Sequence, residues 1–272
     1  MSIEKRAAEY SAALFLFETL LFWGGAMCRD IDANILIHPR KGKNERNLPE
    51  NGLLLVNPSE ASRCHLQLRQ QGGESRHLFN SDLTVAAGHS FFVSGPAIGA
   101  PMAVMSMEKL IALGAKRIIL FGWCGAIAST LKVGDILLPS EAKCGEGTSR
   151  YYPLPIPAAP STILRSYIEK AFCDNNTRVH SGCVWSTDAV YREDRRMLQE
   201  LNRKDGVDAI DMEFSALCSA ACFRNIEFAA VLIVSDELWG KTWRPGFSSD
   251  IFLETKAKAL DVVRAAMDNF GE

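Results

Sequence analysis

Four stretches of consecutive apolar residues mark the centre of the predicted fold. They are 53–56 (LLLV), 117–122 (RIILFG), 135–139 (DILLP) and 228–236 (FAAVLIVSD). A strand that is apolar on both faces is typical of a sheet covered by helices on both sides. We therefore predict buried strands at these four places.

Between these strands, apolar residues recur at the three- and four-residue spacing of amphipathic helices. The predicted helices cover 60–70, 101–113, 161–173, 195–204, 213–224 and 250–269. Two runs, 82–87 and 90–95, flank Gly88-His89 and predict a hairpin, and 181–188 predicts a strand that runs into a loop. The alternation of strands and helices indicates an α/β fold. We predict a single-domain αβα sandwich around a central twisted mixed sheet.

The N-terminal segment has a different pattern from the rest of the chain. Residues 12–27 are largely apolar, which loosely resembles a signal peptide, but Glu18 interrupts them and no A-x-A-like cleavage site follows. The run is also short for a membrane span. We expect a helix that packs against the body or a neighbouring subunit. Residues 1–50 are therefore predicted to form a helical extension and linker, and 51–272 the main domain.

Composition narrows the class of protein. Of the 272 residues, 47% are hydrophobic and 23% charged, and the net charge is -2. This balance favours a globular protein and gives no basic excess for binding nucleic acid. The eight cysteines include no CxxC pair, so we expect reduced core thiols, no metal and a cytoplasmic location without membrane attachment.

Candidate chemistry falls where predicted strands end and loops begin, the usual position of sites in α/β proteins. The stretches are GPAIGAP at 95–101, GWCGAI at 122–127, AIDME at 209–213 and VSDE at 234–237. Each has a structural alternative: a tight turn, a helix cap, or acids that stabilise a helix N-terminus. The functional alternative is a pocket in which carboxylates bind a diol and donate a proton.

Taken in order, several stretches resemble the nucleoside phosphorylase family, which includes uridine phosphorylases, hexameric purine nucleoside phosphorylases and related nucleosidases. They are LLLVNPSEASR, SGPAIGAP, MEKLIALGAKRIILFGWCGAI, LKVGDILLP, AKCGEGTSRYY, STDAVY, AIDMEFSAL and VLIVSDE. The likeness runs from about Leu53 to Asn269. It implies the family's αβα fold and cleavage of a nucleoside's N-glycosidic bond.

The resemblance also implies roles for residues that would hold the sugar and the base. Glu213 would bind the ribose 2′- and 3′-hydroxyls, Met212 would pack beneath the sugar, and Asp211 matches a nearby acid. Asp236 matches the acid that protonates a purine at N7, which favours a purine-like base, and Arg244 is the candidate helper arginine. We expect further substrate contacts from Ser235, Cys124, Gly125, Val190, Tyr191 and His38, with His38 lent to a neighbouring subunit's 5′-hydroxyl.

The chain departs from the family pattern where phosphate would bind. Arg63 and the glycine turn around Gly99 remain, but Leu120 and Trp123 replace an arginine and a hydroxyl residue. A buried dianion needs charge-assisted donors, each worth about 1.5–3 kcal/mol. We interpret this region as the remnant of a phosphate site, partly filled by Trp123. If water replaces phosphate, Glu60 is a candidate base.

These observations leave more than one function open. The first is an enzyme that cleaves a purine-like nucleoside by hydrolysis or altered phosphorolysis, with no cofactor and with inorganic phosphate as co-substrate only in phosphorolysis. The second is a non-catalytic nucleoside-binding or scaffold protein on the same fold. A third is a substrate with a bulky 5′ substituent. The resemblance further implies a homo-oligomer, a dimer or a hexamer, with a small-molecule nucleoside as ligand.

Overall fold

The structure is a computed structural model that describes residues 35–270. The chain divides into two units, Met1–Pro39 and Arg40–Glu272. In the first unit the described residues form irregular chain, and the helix predicted near the N-terminus lies outside the described residues. The larger unit starts before the predicted boundary at residue 51, since Leu48 is buried and its N–H donates to the Leu113 carbonyl oxygen.

The larger unit alternates strands and helices over its whole length. The strands are β1 Asn51–Leu55, β2 Glu74–Leu78, β3 Ser81–Val85, β4 Phe91–Gly95, β5 Arg117–Ala126, β6 Ile136–Cys144, β7 His180–Ser186, β8 Val207–Asp211, β9 Glu227–Glu237 and β10 Arg244–Pro245. The helices are α1 Pro58–Gln70, α2 Ala100–Ala112, α3 Thr162–Asp174, α4 Arg195–Asp205, α5 Phe214–Arg224 and α6 Asp250–Asp268. Short 3-10 helices cover Ser149–Tyr151 and Val190–Arg192.

All these strands belong to one mixed sheet that closes on itself. Its order is β10-β9-β6-β7-β8-β5-β1-β4-β3-β2, with an additional pairing between β9 and β5. Because β5 pairs with both β9 and β8, strands β5, β9, β6, β7 and β8 form a closed ring. Strands β1 and β4 extend from β5 in parallel, and β3 and β2 follow antiparallel.

Helices cover both faces of the sheet. Along β5, Leu120 lies in the core cluster that includes helices α2 and α5, whereas Ile119 lies in the cluster that includes α1, α3 and α6. Successive side chains of a strand point to opposite faces, so both sets of positions must be apolar. This explains the continuous apolar runs, and the predicted α/β sandwich with a mixed sheet is confirmed.

Within residues 35–270, no helix has the length and apolar character needed to cross a membrane. The same part of the chain contains no group of three or more His, Cys, Asp or Glu side chains arranged to hold a metal ion.

Candidate active site

A cavity of about 190 Å³ opens where β5, β8 and β9 end. Its lining brings together residues from seven separate stretches of the sequence. These are Val56, Asn57, Ile98, Trp123, Cys124, Gly125, Val190, Glu193, Ile210, Asp211, Met212, Glu213, Ser235, Asp236, Leu238 and Phe247. The cavity therefore gathers the predicted candidates from the GWCG turn, the DME stretch and the SD pair.

Asp236 lies near the end of β9, where its backbone pairs with Gly125 of β5. The absence of a side chain at Gly125 leaves room for the carboxylate, since a Cβ there would lie 3.3 Å from Asp236 Oδ2. Ser235 Oγ donates a hydrogen bond to Asp236 Oδ1 at 2.7 Å, and Trp243 Nε1 donates to Oδ2, also at 2.7 Å. Both carboxylate oxygens are thus held by donors.

Glu213 sits between the end of β8 and the start of α5. Its Oε1 accepts a hydrogen bond of 2.6 Å from the backbone N–H of Gly99, the N-cap residue of α2. Burial, with a smaller effect of the nearby Asp211 charge, raises the pKa of Glu213 to about 8. The result is a carboxyl group that lines the cavity and has one protein donor on a single oxygen.

Asp211 has a different environment from Glu213. Its Oδ2 accepts from the backbone N–H groups of Phe214 at 2.6 Å and Glu213 at 3.1 Å, and its Oδ1 accepts from Ser186 Oγ at 2.5 Å. Burial nevertheless raises its pKa to about 6. Asp211 therefore satisfies the first N–H groups of α5, as expected for an acid at a helix N-terminus.

Trp123 closes the end of the cavity beside β1. Its ring packs edge-on against Phe252 at 5.2 Å between centroids and lies 5.9 Å from Phe247. Lys256 Nζ stands 5.0 Å above the indole ring and pairs with Glu60 at 2.8 Å. Glu60, the candidate base, is thus occupied by a buried ion pair.

Four other predicted residues of the larger unit are not part of the cavity lining: Arg63, Gly99, Tyr191 and Arg244. Arg63 pairs with Asp261 at 3.2 Å, and its side chain is 40% exposed. Arg244 pairs with Glu237 at 3.0 Å. Tyr191 is 97% exposed, and His38 belongs to the separate unit Met1–Pro39.

Among the residues at the cavity, the sequence did not predict Glu193, Phe247 and Trp243. Glu193 lines it, and burial, with a smaller effect of the Asp236 charge, raises the pKa of Glu193 to about 7. Phe247 also lines it, and Trp243 donates to Asp236. All three lie in loops without a periodic pattern, and the only sequence signal was their position within ten or so residues of a predicted candidate.

The charged groups that line the cavity are all acidic. Four carboxyl groups line it, from Glu193, Asp211, Glu213 and Asp236. Among the residues that the structure describes, no lysine, arginine or histidine is part of this lining. Cys124 is fully enclosed, and burial raises the pKa of its thiol well above the usual range, so it remains neutral. The cavity thus suits a neutral ligand rich in hydroxyl and N–H donors better than an anion.

Comparison with known proteins identifies related sequences and folds. The model of a family described as "Phosphorylase superfamily" matches residues 67–270. A guanosine phosphorylase of Halorubrum lacusprofundi is 30% identical over 172 residues, which cover 63% of this chain and 70% of that protein.

Solved structures with low sequence identity share the fold. A purine nucleoside phosphorylase of Toxoplasma gondii in complex with immucillin-H superposes with a TM-score of 0.72 and 21% identity, covering 86% of this chain and 96% of that one. An AMP nucleosidase of Bacteroides thetaiotaomicron gives a TM-score of 0.63 and 24% identity, covering 80% and 91%.

Proposed function

The chain belongs to the phosphorylase superfamily, and we propose that it cleaves the N-glycosidic bond of a purine-like nucleoside. One observation carries this proposal: Asp236 and the Met212–Glu213 pair, which are distant in sequence, line the same cavity. A sugar diol and a leaving base are the two ends of a nucleoside, and the cavity offers carboxyl groups for both. Proteins similar to this chain include a guanosine phosphorylase and an AMP nucleosidase, whose names give a nucleoside and a nucleotide as substrates.

In the proposed reaction each residue has one task. Glu213 accepts hydrogen bonds from the ribose 2′- and 3′-hydroxyls, and Met212 packs against the sugar. Asp236 donates a proton to the base as the bond between C1′ and nitrogen breaks and its electron pair moves to the base. A C1′–O bond forms with the attacking group, while positive charge develops on the sugar in the transition state.

We propose water as the attacking group. A phosphate dianion in this cavity would meet four carboxyl groups and no lining cation among the described residues, and like charges in a pocket of low polarity repel strongly. The ion pairs of Arg63 with Asp261 and of Lys256 with Glu60 further support this proposal. With water, the surplus proton goes to solvent, and the products are free base and free ribose.

Two buried polar atoms support a water position beside Trp123. Asn57 Oδ1 and Trp123 Nε1 both belong to residues that line the cavity, and neither has a hydrogen-bond partner among the described residues. Asn57 is the N-cap residue of α1, yet its side chain does not cap the helix. One atom is an acceptor and the other a donor, and a water molecule is a suitable partner for either.

The test measures base release with and without inorganic phosphate. Purified protein is incubated with inosine, guanosine or adenosine, and free base, free ribose and ribose 1-phosphate are quantified. We expect equal rates in both buffers, with ribose as the sugar product, and loss of activity in Asp236→Asn. Base release that depends on phosphate and yields ribose 1-phosphate would overturn hydrolysis. Nucleoside binding without turnover would favour the non-catalytic alternative.

A further inference from the structure

Trp243 holds the acid of the proposed reaction. It lies in the loop between β9 and β10, and its Nε1–H donates to Asp236 Oδ2 at 2.7 Å. Its ring also lies 6.1 Å from the ring of Phe247, which lines the cavity. Indole nitrogen can donate a hydrogen bond but cannot accept one, so the bond requires an acceptor oxygen on Asp236.

The short pairing of β9 with β10 explains why Trp243, and not its neighbour, contacts Asp236. Arg244 pairs in register with Glu237, and its guanidinium donates to Glu237 Oε2 at 3.0 Å. Successive side chains in extended chain point to opposite sides. When Arg244 turns toward Glu237, the preceding residue is directed to the other side, where Asp236 lies.

We propose that Trp243 is a positioning residue that aims the Asp236 carboxyl group at the base of the bound nucleoside. The role rests on the proposed function, in which Asp236 is the proton donor. Ser235 Oγ holds Oδ1 and Trp243 holds Oδ2, each at 2.7 Å, so the plane of the carboxyl group is fixed by one donor on β9 and one on the loop that follows it. A side chain held this way needs less reorganisation when the substrate binds.

A neutral donor suits this task better than a cation. A guanidinium would add a full positive charge and stabilise the ionised carboxylate strongly, which opposes protonation of the acid. An indole N–H directs the carboxyl group with a weaker preference for its ionised form. The sequence suggests Arg244 as a helper of Asp236. In this chain the proposed helper is instead Trp243, the residue before it.

The experiment compares two substrates with different leaving groups. Inosine needs a proton on its base as the bond breaks, whereas 4-nitrophenyl β-D-riboside releases a stable phenolate without protonation. The variants are Trp243→Phe, which keeps an aromatic ring but removes the N–H, and Trp243→His, which restores an N–H donor. Because Trp243 is 58% exposed, neither change opens a core cavity.

We expect Trp243→Phe to lower kcat for inosine about tenfold, the effect of losing one hydrogen bond that orients the acid, with little change in KM. The rate with the nitrophenyl riboside should stay at the level of the unsubstituted protein, and Trp243→His should recover part of the loss. The control is Trp239→Phe: the Trp239 indole N–H has no partner among the described residues, and its ring packs under Lys132, outside the cavity lining.

The outcomes separate this role from the proposed function. Equal losses with both substrates, or no loss with inosine, would overturn the positioning role while the nucleoside-cleaving function stands. If the unsubstituted protein cleaves neither substrate, the proposed function fails and the role of Trp243 fails with it.

Discussion

At the scale of single residues, the two acids of the DME stretch, Asp211 and Glu213, make different contacts. Asp211 accepts three hydrogen bonds from protein donors, two of them from the first N–H groups of α5. Glu213 accepts one, from Gly99. The sequence suggested both a structural and a ligand-binding role for this pair. The geometry favours the structural role for Asp211 and leaves Glu213 as the carboxyl group available to a ligand.

Because Glu213 is buried, we predict that replacing it stabilises the folded protein and weakens nucleoside cleavage. Its pKa is raised from 4.5 to about 8, so the folded protein holds the proton more tightly than the unfolded chain. The free energy of unfolding therefore falls as the pH rises through the window from about 4.5 to about 8. Glu213→Gln should increase the free energy of unfolding by on the order of 3 kcal/mol at the high end of the window, with little effect at the low end.

Denaturant unfolding at both ends of the pH window measures this effect. The amide can still accept from Gly99 N–H, so the contact at the start of α2 is preserved. The same variant should lose nucleoside cleavage by a factor of about 100, because the single amide oxygen already accepts from Gly99 N–H and the second acceptor oxygen for the hydroxyls is removed. A variant that is less stable at high pH would contradict the stated cause.

A second prediction at this scale concerns the proposed water position. Asn57→Ala removes the acceptor but no cap, since the Asn57 side chain does not cap α1. We expect kcat for nucleoside hydrolysis to fall about tenfold with unchanged KM, because the water is held less well and nucleoside contacts stay in place. Steady-state kinetics test this, with Asn269→Ala, on the exposed end of α6, as control. A change in KM alone would argue against it.

At the scale of elements, the close contact of β5 with β9 sets the position of Asp236. A Cβ at Gly125 would lie 2.8 Å from Leu238 Cδ1 and within 3.5 Å of both Asp236 carboxylate oxygens. We expect Gly125→Ala to fold, since flexible side chains can move, but to displace the carboxyl group and lower kcat at least about tenfold. Gly122→Ala is the matched control, because its Cβ would meet Val56 and Leu232 and not Asp236.

Circular dichroism and kinetics on the two alanine variants check this prediction. Folded protein with full activity for Gly125→Ala would show that the position of Asp236 tolerates displacement. If neither variant folds, the cause is crowding of β5 by the added methyl group and not displacement of the Asp236 carboxyl group.

Elements with strong apolar patterns were predictable, and polar ones were not. The buried strands β5 and β9 and the β3–β4 hairpin match the predictions. Strand β2, with the sequence ESRHL, was missed because four of its five residues are exposed or half-buried and carry no apolar alternation. Leu48 sat in a polar stretch predicted as linker, and a single buried leucine gives no period to detect.

The same contrast between patterned elements and loops applies to the residues of the candidate site. The sequence pointed to Trp123, Glu213 and Asp236, which line the cavity, because they follow or end predicted strands or begin a predicted helix, where the topology of α/β proteins brings chain segments together. Trp243 and Glu193 lie in loops whose path depends on tertiary contacts and not on local pattern. Arg244 was predicted as a helper arginine, and in the structure Arg244 pairs with Glu237 while Trp243, the preceding residue, donates to Asp236, because successive side chains in extended chain lie on opposite sides.

At the scale of the whole molecule, closure of the sheet concentrates acidic groups. Strands β5, β8 and β9 meet in the closed ring, and their ends deliver Asp211 and Asp236 to one cavity together with Glu193 and Glu213. Burial raises the pKa of three of these groups, Asp211, Glu193 and Glu213, so part of the negative charge is neutralised near neutral pH. Under the proposed function, a bound neutral nucleoside would offset this costly desolvation with hydrogen bonds from its hydroxyls.

This charge distribution predicts which ligands stabilise the folded protein. A nucleoside at about 100 times its Kd should stabilise it by about 2.7 kcal/mol, which raises Tm by roughly 5–10 °C. Phosphate should add no more than sulfate at equal ionic strength, because both act only by exclusion from the protein surface. Thermal unfolding with inosine, phosphate or sulfate tests this, with Glu213→Gln as the variant that should lose the inosine effect. A phosphate-specific rise in Tm would mean that the cavity binds the anion despite its four acids, and phosphorolysis would then replace hydrolysis as the reaction.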